Sequence, residues 1–190
     1  LGERFVMVRW ARPGGVEAAL RAMNQDQTTA KNDLKGAVHR LFNSVPNLIP
    51  KLPLDLQAKI AALGELAVRG RTQVPRDGKS KTILGVPEPE SNTRLPQQLA
   101  QLTKGSALMG GRETVNAEDY SIARRAALDS IPAVRRKVLD TLIAGHEIGA
   151  AQLPPSTLHY VTEELEVLGL LVSGALSTLA EDLIRKAGLM

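Results

Sequence analysis

Apolar residues recur at three- and four-residue spacing through most of the chain, and the breaks between these stretches fall on Pro and Gly clusters. Val16, Ala19, Leu20 and Met23 open one stretch, and Leu34, Val38, Leu41 and Phe42 resume it after the polar run from Asn24 to Asn32. Residues 16–43 therefore read as one long helix or two. Residues 45–53 carry three prolines and form a connector. Leu54 to Val68 is a strong helix candidate with Ile60, Leu63, Leu66 and Ala67 on one face and Gly70 as its stop. A further helix runs from Thr93 to Gly110, with Pro96 tolerated in its first turn. Asn116 followed by Asp119 is a capping signature that opens a helix through Leu128.

β-type signals are sparse. Phe5 to Trp10 is a β-branched and aromatic run closed by Arg12-Pro13-Gly14-Gly15, and reads as a single strand. Thr72 to Val74 and Lys81 to Val86 flank Arg76-Asp77-Gly78-Lys79, where Asp-Gly signals a hairpin. Near the end, Pro132 to Ala144 places Val134, Val138, Leu139, Leu142 and Ile143 inward, and Glu147 to Leu153 is a compressed turn. Ser156 would then cap a helix reaching Leu168. Gly169 stops that helix, Leu170 to Val172 is a strand with Gly174 at its turn, and Leu176 to Ala187 closes the chain as a helix.

Composition narrows the chemistry. Aromatic residues are only 3% of the 190, so the core is aliphatic, which suits helices packed on helices. Cysteine is absent and the three His are scattered, which points away from disulfides, thiol catalysis and metal sites. No run of residues has the length and apolarity of a membrane span, and no signal peptide is evident, so a cytoplasmic protein is expected. The start at Leu1, directly before an apolar run, reads as a cut from something longer. Charge is divided unevenly: residues 1–125 hold 19 Lys and Arg against 12 Asp and Glu, whereas residues 126–190 hold 5 against 8. The basic first part is the one that would favour nucleic acid.

Three parts of the chain carry a resemblance. Thr93-Arg94-Leu95-Pro96-Gln97-Gln98-Leu99 followed by Thr114-Val115-Asn116-Ala117-Glu118-Asp119 resembles the C-terminal lid of AAA+ ATPases, especially minichromosome-maintenance (MCM) helicases and related bacterial ATPases. Leu1-Gly2-Glu3-Arg4-Phe5-Val6 is similar to the stretch bearing the arginine finger in that family, with Val6 where the family has Asp. The resemblance implies that Arg94 stands at the sensor-2 position and Arg4 at the finger, acting in trans on a nucleotide held elsewhere. Pro154-Pro155-Ser156-Thr157 through Gly169-Leu170-Leu171 likewise resembles the bacterial winged helix-turn-helix pattern. The expected fold is mainly α: a helical AAA+ lid-like region over residues 1–125 with a basic hairpin near 71–86, then a winged-helix domain over 126–190.

Function follows from these parts. No Walker A or acidic Walker B run is present, and Gly78-Lys79-Ser80 lacks the earlier glycine of a phosphate loop, since Gln73 stands there. The chain alone is expected to be non-catalytic, without a cofactor of its own. The resemblance implies ATP and Mg for a full-length protein, a missing ATPase domain as partner and a homo-oligomeric ring. DNA is the expected macromolecular partner, with no membrane. In a winged helix Ser156, Thr157, His159 and Tyr160 would face the major groove. Against this, Glu163, Glu164 and Glu166 share that helix, and Arg135-Arg136-Lys137 reads as a solvated face. Arg69, Arg71, Arg76, Lys79 and Lys81 make the hairpin the stronger electrostatic candidate, with a charged, solvated loop as its bland counterpart. The competing class is a stand-alone winged-helix transcriptional regulator whose first half is a helical dimerisation domain.

Overall fold

The computed structural model describes residues 26–90 and 93–190, together with residues 15, 16, 20 and 23. The expected Phe5–Trp10 strand and Arg4 lie outside the described residues. The described chain is mainly helical: α1 Gln27–Ser44, α2 Leu54–Arg71, α3 Arg94–Met109, α4 Ala117–Ser130, α5 Ala133–Ile143, a 3-10 turn Ile148–Ala151, α6 Pro155–Val167 and α7 Thr178–Lys186. A two-stranded antiparallel sheet, β1 Leu171–Val172 and β2 Ala175–Leu176, lies between α6 and α7, pairing Leu171 with Leu176 and Val172 with Ala175.

Helix α2 is the hub. Its Leu63, Leu66 and Ala67 are fully buried, and it packs against α3, α4 and α7. Each such leucine removes enough apolar surface from water to stabilise the fold by about 1.5–3 kcal/mol. One buried cluster runs from Leu56 on α2 through Leu99 and Ala123 to Leu165, Leu170 and Ile184, so residues 56–187 share a core. The division at residue 125 falls inside α4. The Tyr120 hydroxyl, also on α4, donates to the Ala187 carbonyl at 2.6 Å, and burial pushes its pKa up to about 12. The connector is tied in at Lys51, whose N–H donates to the Glu113 carbonyl and whose carbonyl accepts from Val115.

Several boundaries differ from the sequence expectation. Of the one or two helices expected over residues 16–43, α1 starts at Gln27, where the Asp26 carboxylate caps it, accepting from the Thr28 N–H at 2.9 Å. Gly70 is no stop: α2 continues to Arg71, and the glycine lets the fully buried Ile131 approach the helix. Ser156 is not the cap of α6. Pro155 takes the first helical position, where its missing N–H costs nothing, and Pro154 is held extended ahead of it. Leu176 belongs to β2, and α7 starts two residues later under Ser177, whose hydroxyl accepts from the Ala180 N–H. The expected flanking strands of the 71–86 region shrink to a single antiparallel bridge between Arg76 and Ile83.

Candidate nucleic-acid interface

The hairpin is built by its tip. Asp77 Oδ1 accepts from the Lys79 and Ser80 N–H groups at 3.0 and 2.6 Å and from the Ser80 hydroxyl at 2.8 Å, which draws the chain round Gly78. These bonds hold the Asp77 carboxyl below its usual range. Lys81 adopts φ of +61°, and the Asp77 N–H bonds to Thr82 O at 2.9 Å while Leu84 N–H bonds to Pro75 O at 3.0 Å. Residues 76–83 therefore form an eight-residue loop closed by the Arg76–Ile83 bridge, beginning five residues after the end of α2.

Arg76 does not point off this loop into solvent. Its guanidinium reaches α6, donating from Nη1 to Glu163 at 3.0 Å, from Nε to Glu164 at 3.2 Å and from Nη2 to the Tyr160 carbonyl at 2.9 Å. Nη1 also donates to the Lys81 carbonyl at 2.8 Å, and the guanidinium carbon sits 5.0 Å from the centre of the Tyr160 ring. Burial alone would lower the Arg76 pKa, but the two carboxylates outweigh it and raise it. Arg135, on the first turn of α5, completes the arrangement from beneath. It donates to Glu164 Oε2 at 2.9 Å and to the carbonyls of Gly70 and Thr72 at 3.0 and 2.7 Å, which are the unsatisfied groups at the end of α2. Its side chain is buried, contrary to the solvated face expected of Arg135-Arg136-Lys137. Arg136 is also paired, with Asp129 and Asp140.

The remaining expected residues separate into two groups. Arg69 pairs with Glu65 at 2.5 Å and Arg71 with Glu90 at 2.8 Å, so both serve the fold at the base of the hairpin. Lys79 is exposed at the tip, and Lys81 is exposed with its ammonium donating to the Gly78 carbonyl at 2.8 Å. On α6, Ser156 and His159 are exposed, Thr157 is half-buried, and Tyr160 keeps 38% of its surface. His159 lies 3.4 Å from Glu163. Arg94 is exposed as the first residue of α3, with no polar partner among the described residues.

Arg76 thus docks the hairpin that carries Lys79 and Lys81 on α6, bonding the Lys81 carbonyl as well as Glu163 and the Tyr160 carbonyl, while Arg69 and Arg71 pair with Glu65 and Glu90 and Arg94 opens α3. It also changes the charge of the α6 surface. Glu163 and Glu164, which made α6 look hostile to phosphate, are each paired with arginine, and Glu166 accepts from the Gly174 N–H at 3.2 Å. Nothing in the sequence marks Arg135 and the two glutamates as holding groups. Their only shared signal is opposite charge at separations of 29, 87 and 88 residues, which no local motif displays. The β1–β2 turn is Ser173-Gly174, both at positive φ, the two-residue form that suits a tight hairpin.

Among the described residues no group of three His, Asp or Glu could hold a metal, and no helix is long and apolar enough to cross a membrane. Comparisons with protein-family models, with curated proteins and with solved structures return no significant match for the chain.

Proposed function

We propose that this chain is a DNA-contacting, non-catalytic portion of an MCM-like AAA+ ATPase, a lid-like region followed by a winged helix. The observation that carries the reading is the Arg76 contact with α6, which ties the basic hairpin to Tyr160 on the helix that also carries the exposed Ser156 and His159. A phosphate backbone laid across this surface meets the Lys79 and Lys81 ammonium groups, with the exposed residues of α6 beside it. The order helix, 3-10 turn, helix, two-stranded hairpin and helix from α5 to α7 is compatible with a winged helix. The exposed Arg94 is free to reach outside the chain, which suits the sensor role implied by the resemblance; ATP and Mg would be held by residues of a motor domain.

Binding of a mixed-sequence duplex to the Lys79→Ala/Lys81→Ala variant tests this. Weaker binding is expected, with the slope of log affinity against log salt reduced by about 1 for each lysine. An unchanged affinity and slope would overturn it. Arg76 is left intact so that docking of the hairpin is not disturbed.

The competing reading, a stand-alone regulator with a helical dimerisation segment, draws support from the exposed apolar residues of α1. Sequence dependence separates the two. A regulator prefers its operator over other duplexes by about 10³-fold or more, whereas an accessory surface of a motor binds duplexes alike.

A further inference from the structure

Helix α1 contributes nothing to the core of its own chain. Among its described side chains, residues 28–44, none is buried, and Leu34, Val38, Leu41 and Phe42 keep 65, 40, 41 and 67% of their surface. A helix of this length is marginal in water by itself and normally gains its stability by packing an apolar face. Ala30, Leu34, Ala37 and Leu41 follow the alternating four- and three-residue spacing of a heptad seam, with Val38 on one flank and Asp33 and Arg40 together on the other. Neither Asp33 nor Arg40 has an ion partner among the described residues.

We propose that α1 is the interface with a second copy of this chain, the two helices running antiparallel. Size and charge both favour that orientation. With the twofold axis passing between Lys35 and Gly36, Leu34 lies over the partner's Ala37 and Leu41 over the partner's Ala30, and the reverse contacts follow by symmetry. Every layer then sets a large side chain against a small one. In a parallel pair leucine would meet leucine and alanine would meet alanine, which leaves gaps at the alanine layers. The same antiparallel register brings Asp33 within two residues, about 3 Å along the axis, of the partner's Arg40, twice over. A parallel pair sets Asp33 against the partner's Val38 instead. This interface is independent of the DNA-contacting surface and stands or falls separately from it.

Sedimentation equilibrium of the full chain at micromolar concentration provides the test, with circular-dichroism melting as a control for folding. A dimer is expected. Leu41→Asp should return it to monomer with unchanged melting of the 56–187 core, because Leu41 is not buried in its own chain. Asp33→Arg or Arg40→Asp alone should raise the dimer dissociation constant by about tenfold, through two lost ion pairs and two new repulsions. The double variant Asp33→Arg/Arg40→Asp should restore it. A monomeric wild-type chain, a dimer indifferent to Leu41→Asp, or a double variant no better than the singles would each overturn the proposal.

Discussion

Gly70 lies in the last turn of α2, and the volume a side chain would take there is filled by Ile131: a Cβ on residue 70 would lie 3.0, 3.2 and 3.3 Å from three Ile131 atoms. Two effects of Gly70→Ala oppose one another. Helix propensity favours alanine by about 1 kcal/mol, whereas forcing volume into a packed site costs about 1–3 kcal/mol. Ile131 is fully buried and β-branched, so it has little room to yield, and overpacking decides the sign. The variant should be less stable by about 1 kcal/mol in urea unfolding; a midpoint equal to or above wild type would contradict this. A glycine near a helix end reads as a stop in the sequence because that is its commonest local use. Its role here is set by a residue 61 positions later, beyond the reach of any local pattern.

At the scale of elements, what the sequence displayed best was capping, because a cap is made by neighbours in the chain. The start of α4 is the clearest case. Asn116 Oδ1 accepts from the Glu118 and Asp119 N–H groups at 3.0 and 3.2 Å, and Asp119 Oδ2 accepts from the Asn116 N–H at 3.0 Å, as the Asn-Ala-Glu-Asp run predicts. The structure adds tertiary partners: Asp119 Oδ1 accepts from the Ser106 hydroxyl and from Arg112, both at 2.6 Å, which joins α4 to α3. Burial would raise the Asp119 pKa, but the bonds from Ser106, the Asn116 N–H and Arg112 outweigh it and lower the value below 3.8. A carboxylate with a depressed folded pKa contributes stability above its unfolded value, and that contribution is lost as pH falls through the folded value. Asp119→Asn should therefore cost about 1–3 kcal/mol at neutral pH. It should also flatten the loss of melting temperature below about pH 4; an acid limb as steep as in wild type would count against the assignment. The cap of α6 was misplaced for a complementary reason. Ser156 carries the usual capping side chain, but Pro155 before it fixes the backbone first.

Across the whole molecule, the features absent from any local pattern are those that join distant segments. Arg135 binds the end of α2 and Glu164 of α6, while Arg76 binds the hairpin to the same helix from the other side. The helical class was legible from apolar spacing, since each helix must offer the core a face. The convergence of two arginines on Glu164 was not, because charge on a helix surface looks alike whether it meets water or a partner. Their costs on removal should differ. Arg135→Ala strands buried carbonyls and a glutamate and should lose about 3 kcal/mol or more, while Arg76→Ala, nearer the solvent, should lose about 1–2 kcal/mol. Chemical denaturation of both variants gives the comparison, and an equal or reversed ranking would show that the lower contact is not the stronger one. The position of Arg76 also makes it a poor ligand for anything else. A polyanion that drew this guanidinium away would leave Glu163 without an arginine beside its own charge, while Glu164 would keep Arg135, so opening the contact exposes a repelling carboxylate. The contact behaves as a latch whose opening to an outside anion is resisted by the carboxylate it would expose.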